Sequence, residues 1–208
     1  MENILDLVTD YVIKLFEEKL PQGITYHDLI HIKDVVDTAK LIGEKSLISP
    51  DQMEMLLLAG WFHDVGIVER YVEHEEKSAE TCHEFLVKHN YPADRIETII
   101  NIIRSTRVPQ KPANLLEKIM CDADLSHNGK KGFIYRSHLL RVEWKNMLGK
   151  EFTDSEWLKV NIDFLLENKF HTDFAKSFYD EQRKRNLVLL QKKKSKKIWQ
   201  PQLQNQNE

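Results

Sequence analysis

His63 and Asp64 stand directly behind Leu56-Leu57-Leu58-Ala59-Gly60-Trp61-Phe62, the most apolar stretch of the chain. Polar side chains at the end of such a segment are costly to bury unless they are paired or hold a metal ion. An imidazole beside a carboxylate suits a divalent transition metal such as Mn, Fe, Ni, Co or Zn, whereas all-oxygen sites suit Mg or Ca. Neighbouring residues on a helix point about 100° apart, so both can serve one ion only where the helix ends. Gly66 is placed to allow that ending. Taken alone, a His-Asp pair is more often structural than functional.

Two further stretches change that weight. Tyr26-His27-Asp28-Leu29-Ile30-His31 puts two histidines at i and i+4 on one helical face. Cys121-Asp122-Ala123-Asp124 puts two carboxylates at the end of an otherwise apolar helix. One early histidine, the His-Asp pair and a distant aspartate supply four protein ligands, leaving positions on a six-coordinate ion for water and substrate.

The elements that must carry these groups are helical nearly throughout. Ile4, Val8, Tyr11, Leu15 and Phe16 form one apolar stripe between Glu2 and Leu20, which Pro21-Gln22-Gly23 interrupts. A second helix is predicted from near Tyr26 or Asp28, with Ile32, Val35, Val36, Ala39 and Ile42 inward, ending at Gly43. Pro50 suits the first turn of a third helix over roughly 51–65, which is apolar on most sides and therefore central. Helices are also predicted at roughly 73–89, 92–106, 112–122, 131–148, 154–168 and 172–194. No strand alternation, internal repeat or glycine-rich linker is visible. The economical reading is an all-α, single-domain helical bundle over 1–190, followed by a basic, Gln/Asn-rich, disordered tail over 191–208.

Composition narrows the class. The chain has 208 residues, 41% of them hydrophobic, which is enough for a sizeable core. Only 7 Gly and 6 Pro argue against a β-sandwich or barrel, which needs a turn signal every ~8–12 residues. No apolar run approaches the ~20 residues of a membrane span, and the first residues show no secretory signal. Two cysteines, Cys82 and Cys121, fit reduced thiols in a cytoplasmic protein. Net charge is −3, but five lysines and one glutamate give residues 191–208 a local +4 and leave the body at −7. An acidic body argues against a nucleic-acid partner.

His31, His63-Asp64 and Asp124 resemble the H…HD…D signature of the HD superfamily of metal-dependent phosphohydrolases. The similarity extends to a subfamily of predicted HD phosphohydrolases. It runs through residues 26–32, Phe62-His63-Asp64-Val65-Gly66, 73–79, Ser105-Thr106-Arg107-Val108-Pro109-Gln110-Lys111-Pro112 and 115–125. The resemblance implies an HD-type bundle with a divalent metal ion (Mn, Ni, Co, Fe, Mg or Zn) held by His31, His63, Asp64 and Asp124. It also implies that His27 protonates the leaving oxygen, since it matches the first histidine of the Tyr-His-Asn-x-x-His motif in cyclic-nucleotide phosphodiesterases. Asp28 stands where that motif has Asn. His74 is the second candidate for the proton donor, and Asp64 both holds the ion and accepts the proton of the attacking water. Lys77, Arg104 and Arg107 are weaker candidates for phosphate clamps.

The expected function is hydrolysis of a phosphate ester, a phosphomonoester or a nucleotide, by water that the ion activates. The expected partner is a small phosphorylated metabolite or nucleotide, with no membrane, and a homodimer is compatible with the sequence. The rival reading is a regulatory HD module that binds metal and nucleotide with little or no turnover.

Overall fold

In the computed structural model, which describes residues 3–196, the predicted periodicities become nine α-helices and two short 3-10 turns, with no strand among the described residues. The helices are α1 (Ile4–Lys19), α2 (Leu29–Lys45), α3 (Pro50–Phe62), α4 (His74–Lys88), α5 (Ala93–Arg104), α6 (Leu115–Asp124), α7 (Phe133–Leu148), α8 (Asp154–Glu167) and α9 (Asp173–Lys196). The 3-10 turns cover Val65–Val68 and Leu125–Gly129. Helix α9 carries helical structure six residues past the expected boundary at 190. The rest of the predicted tail, 197–208, lies outside the described residues.

The described chain divides into two compact units. The first comprises residues up to Gln22 and His27–Asp124, and the second Gly23–Tyr26 with the residues from Leu125 onward.

In the first unit α3 is the centre, packing against α1, α2, α4, α5 and α6. Its low amphipathicity follows from that position, because Leu56 and Ala59 on one side of the helix and Leu58 and Phe62 on another are all fully buried. Around it lie Val8, Val12 and Phe16 of α1, Ile32, Val35, Ala39 and Ile42 of α2, and Ile96, Ile99, Ile102 and Ile103 of α5. Ser49 starts α3 with a capping box shared with Gln52, and Pro50 occupies the first turn where its missing N–H costs nothing.

The second unit is built on α7, α8 and α9. Phe133, Trp157, Leu158, Ile162, Leu165 and Leu190 form its core, with Trp144 and Phe152 packed at the edge. Trp157 Nε1 donates to Ser137 Oγ at 3.0 Å, and that hydroxyl donates to Asn161 Oδ1 at 2.6 Å, so these three buried polar groups satisfy one another. Glu143 of α7 is fully buried and accepts hydrogen bonds from the backbone N–H groups of Thr25 (2.9 Å) and Tyr26 (2.6 Å). Arg136 donates to the Tyr26 carbonyl at 2.7 Å and lies 4.4 Å over its ring, so the Tyr26 segment is held from both sides of its backbone.

Among the described residues no helix is long and apolar enough to cross a membrane. Cys82 and Cys121 are both free and buried. Burial raises both thiols, that of Cys121 to about 12, and Cys121 donates to the Ser105 carbonyl at 3.1 Å.

Candidate metal centre

Helix α2 begins where Asp28 caps it: the carboxylate accepts from the His31 backbone N–H at 2.8 Å. Asp is as good an N-cap as Asn, so the departure from Asn at this position keeps the helix start. One turn in, His31 is buried.

The third helix was expected to reach residue 65, but it stops at Phe62. His63 becomes its C-cap, and its Nδ1–H donates to the Gly60 carbonyl at 2.8 Å. That bond leaves Nε2 as the atom available for a ligand. The chain then enters the Val65–Val68 turn, which lets Asp64 point into the same space as His63, the divergence problem noted from sequence being solved by the helix end. Gly66 has a second job that its sequence position did not reveal. A Cβ there would fall 2.2 Å from the His74 carbonyl oxygen and 2.6 Å from the Ser78 nitrogen. Its own N–H donates to Ser78 Oγ at 2.8 Å, docking the start of α4 on the turn.

Four donors converge as a result. Asp64 Oδ2 lies 3.0 Å from His63 Nε2 and 3.3 Å from His31 Nε2. Asp124 Oδ1 lies 3.4 Å from His31 Nε2 and 4.0 Å from His63 Nε2. Ligand atoms about 2.1 Å from one ion stand about 3.0 Å apart at right angles and about 4.2 Å apart when opposite. The observed separations fit one ion.

Bonding gives a second test. His63 Nε2 and Asp64 Oδ2 are both buried and neither has a hydrogen-bond partner, although they are 3.0 Å apart. With Nδ1 committed to Gly60, His63 turns Nε2 toward a carboxylate, a contact that needs a proton or a metal cation between the two atoms. The donor set, two imidazoles and two carboxylates, suits a divalent transition metal.

A trio that shares Asp64 adjoins these four donors. His27, Asp64 and His74 bring ligand-capable atoms within 4.8 Å of one another. His74 Nε2 lies 3.2 Å from Asp64 Oδ1, and its Nδ1–H donates to the Tyr71 carbonyl at 2.9 Å. The His27 ring centroid is 5.7 Å from that of His31 and 5.4 Å from that of His74. His74, whose place near the pair was only one of two readings in sequence, therefore touches the HD aspartate directly.

Charge follows geometry in the metal-free chain. Burial alone would lower His31, but the Asp124 and Asp64 carboxylates outweigh it and push His31 up to about 9. Burial likewise opposes protonation of His74, and Asp64 pushes it up to about 9. His63 is raised by Asp64 against its own burial. Asp64 is held well below the usual carboxylate range because His63, His31 and His74 overcome the cost of burying its charge. The cluster is built to hold positive charge.

Other candidates fall elsewhere. Lys77 pairs with Glu69 and Glu80, Arg104 with Glu76, and Arg107 with Glu73, so all three expected phosphate clamps are engaged in ion pairs with glutamates. Asp122 is buried but belongs to neither converging group. His127 sits in a 3-10 turn of the second unit, stacked on Phe133. Sequence reasoning did not single out Gln110, whose Nε2 donates to Asp124 Oδ2 at 3.0 Å.

An all-α bundle with histidines and aspartates from α2, the α3 end and the α6 end around one buried point is the arrangement of a metal-dependent hydrolase of the HD type. A model of the HD domain matches residues 15–129, and the chain belongs to that family. A search of curated proteins finds no match. Among solved structures, a predicted HD superfamily hydrolase from an uncultured Thermotogales bacterium is similar at 17% identity and TM-score 0.61, over 95% of this chain and 100% of that one. The Lin1889 protein of Listeria innocua is similar at 22% identity and TM-score 0.66, over 96% and 100%. Bacillus subtilis YpgQ, in a complex with ADP, is similar at 18% identity and TM-score 0.62, over 92% and 97%. At these identities the likeness is one of fold.

Proposed function

We propose that this chain hydrolyses a phosphate ester of a small metabolite or nucleotide, with a divalent ion, Mn being the first choice, held by His31, His63, Asp64 and Asp124. The observation that carries the reading is the convergence of His31 Nε2, His63 Nε2, Asp64 Oδ2 and Asp124 Oδ1 at 3.0–4.0 Å, a spacing that suits one cation. A fold shared with a protein that binds ADP supports a nucleotide among the substrates. Buried free cysteines support a reducing, cytoplasmic setting.

When bound, the ion would bring the pKa of a coordinated water from about 15.7 toward about 7 and offset charge on the phosphoryl oxygens. The protein's own groups manage the protons. Asp64 Oδ1, turned away from His63 and toward His74, is the acceptor for the proton of the attacking water. Asp64 pushes His74 up to about 9 in the metal-free chain, which favours its protonated form, and the Tyr71 carbonyl fixes its ring. His74 gives its proton to the leaving alkoxide and is recharged from Asp64, with His27 beside it as the alternative donor.

The test is phosphate release from a panel of nucleotides and phosphorylated metabolites with added Mn, beside Asp64→Ala. The expected result is turnover of one substrate class that is absent in the variant. Mn binding with no turnover across the panel would favour a regulatory module instead. Equal release by both proteins would remove Asp64 from the mechanism.

A further inference from the structure

The carboxylate of Asp124 is divided between two tasks. Its Oδ1 faces His31 and His63, at 3.4 and 4.0 Å. Its Oδ2 accepts from Gln110 Nε2 at 3.0 Å, and the same amide nitrogen donates to the Thr106 carbonyl at 3.3 Å. An ionised carboxylate and a carbonyl can only accept, so the amide must present its NH2 group to both, which fixes its orientation. Thr106 is a firm anchor: it is buried, and its hydroxyl donates to the Ile103 carbonyl in the last turn of α5 at 2.8 Å. Gln110 thus ties the end of α5 to the last residue of α6.

We infer that Gln110 is a positioning residue for Asp124, holding the carboxylate so that Oδ1 alone serves the ion and a coordination position stays open for substrate. This rests on the metal reading above. Removing the Gln110 donor takes away a bond that sets the rotation of the carboxylate, and a rotated carboxylate changes the spacing of the four donors. Partners that orient ligands in this way typically contribute 10–100-fold in metal affinity or activity. Nothing in residue type marks Gln110 as such, because it neither ligates nor titrates.

The experiment is calorimetric titration of the full, metal-free chain with Mn, for the wild type, Gln110→Met and Lys111→Ala. Methionine keeps the length and volume of the side chain and removes both donors. Lys111 is exposed and adjacent, so its variant controls for disturbance of the segment. Thermal melting of each metal-free protein is measured alongside. The expected result is a 10–100-fold weaker Mn affinity for Gln110→Met, with unchanged metal-free melting and wild-type affinity for Lys111→Ala. Wild-type affinity in Gln110→Met overturns the inference alone. Weakened affinity with an equally lowered metal-free melting temperature assigns Gln110 to the fold and also overturns it. A wild type that takes up no Mn overturns the metal reading and this inference with it.

Discussion

Asp64 presents Oδ1 to His74 Nε2 at 3.2 Å while its other oxygen faces His63 Nε2 at 3.0 Å. One carboxylate thereby joins the group suited to a cation with the pair of histidines suited to proton transfer. The arrangement depends on the chain turning sharply after Phe62 and on α4 starting at His74, only ten residues beyond Asp64. It separates two histidines that a list of site residues would treat alike.

His63 and His74 are therefore predicted to fail differently when removed. His63→Ala deletes a proposed ligand and is expected to abolish Mn binding at micromolar concentrations. His74→Ala is expected to retain Mn within about tenfold, while turnover falls by about 10²–10⁴, the usual contribution of a positioned acid or base. Calorimetry and steady-state kinetics on the two variants check this. Equal loss of Mn in both would make His74 a ligand rather than a proton donor.

The raised histidines set a pH dependence. His31 and His74 lie at about 9 in the metal-free fold against a usual 6.5. Stability from their protonated forms is fully present below about pH 6.5 and is lost as pH rises through about 9. Metal-free protein is predicted to melt at progressively lower temperature between those limits. Mn must displace a proton from His31, so its affinity is predicted to rise over the same window, by up to about tenfold per pH unit for each proton released. Calorimetry in buffers of different ionisation enthalpy reads that proton directly. Pure metal-free melting curves that are flat from pH 6.5 to 9 would contradict the assignment of charge.

The clustered histidines and aspartates and the helices were legible in sequence for different reasons. Apolar periodicity marked each helix because each buries one stripe, and α3 was marked as central by the loss of any stripe. Polar types beside apolar runs singled out the stretches that hold His31, His63, Asp64 and Asp124, and the resemblance to the HD signature picked these four out of them. The helix stop at Phe62 was not legible, since no Pro or Gly stands between Phe62 and Gly66 to mark it, and the break comes from the His63 cap and the turn at Val65. The fate of Arg104 and Arg107 was also hidden, because their glutamate partners lie 28 and 34 residues away along the chain and meet only across the fold.

Gly66 is predicted to be intolerant of alanine for steric rather than conformational reasons. The added Cβ would meet backbone atoms of His74 and Ser78, which cannot swing aside as a flexible side chain could. Overpacking of this kind costs about 1–3 kcal/mol, and here it also pushes His74 away from Asp64. Gly66→Ala is expected to lower the urea midpoint and to reduce turnover more than Mn affinity. Full activity in a destabilised Gly66→Ala protein would show that α4 can shift without carrying His74 out of place.

Glu143 offers the corresponding test in the second unit. Its Oε2 accepts from two consecutive backbone N–H groups, Thr25 and Tyr26, at a fully buried position. Glu143→Ala removes the acceptor, and a buried backbone donor left unsatisfied costs about 1–3 kcal/mol. Glu143→Gln keeps one carbonyl oxygen that can accept both bonds but gives up the negative charge, so its loss is predicted to be the smaller. Urea denaturation of the two variants should therefore rank them with Ala below Gln, both below wild type, at unchanged slope. If Ala and Gln are equally destabilised, the charge of Glu143 matters more than its hydrogen bonds, and the clamp on Tyr26 is chiefly electrostatic, with the Arg136 guanidinium over the Tyr26 ring as the other candidate contributor.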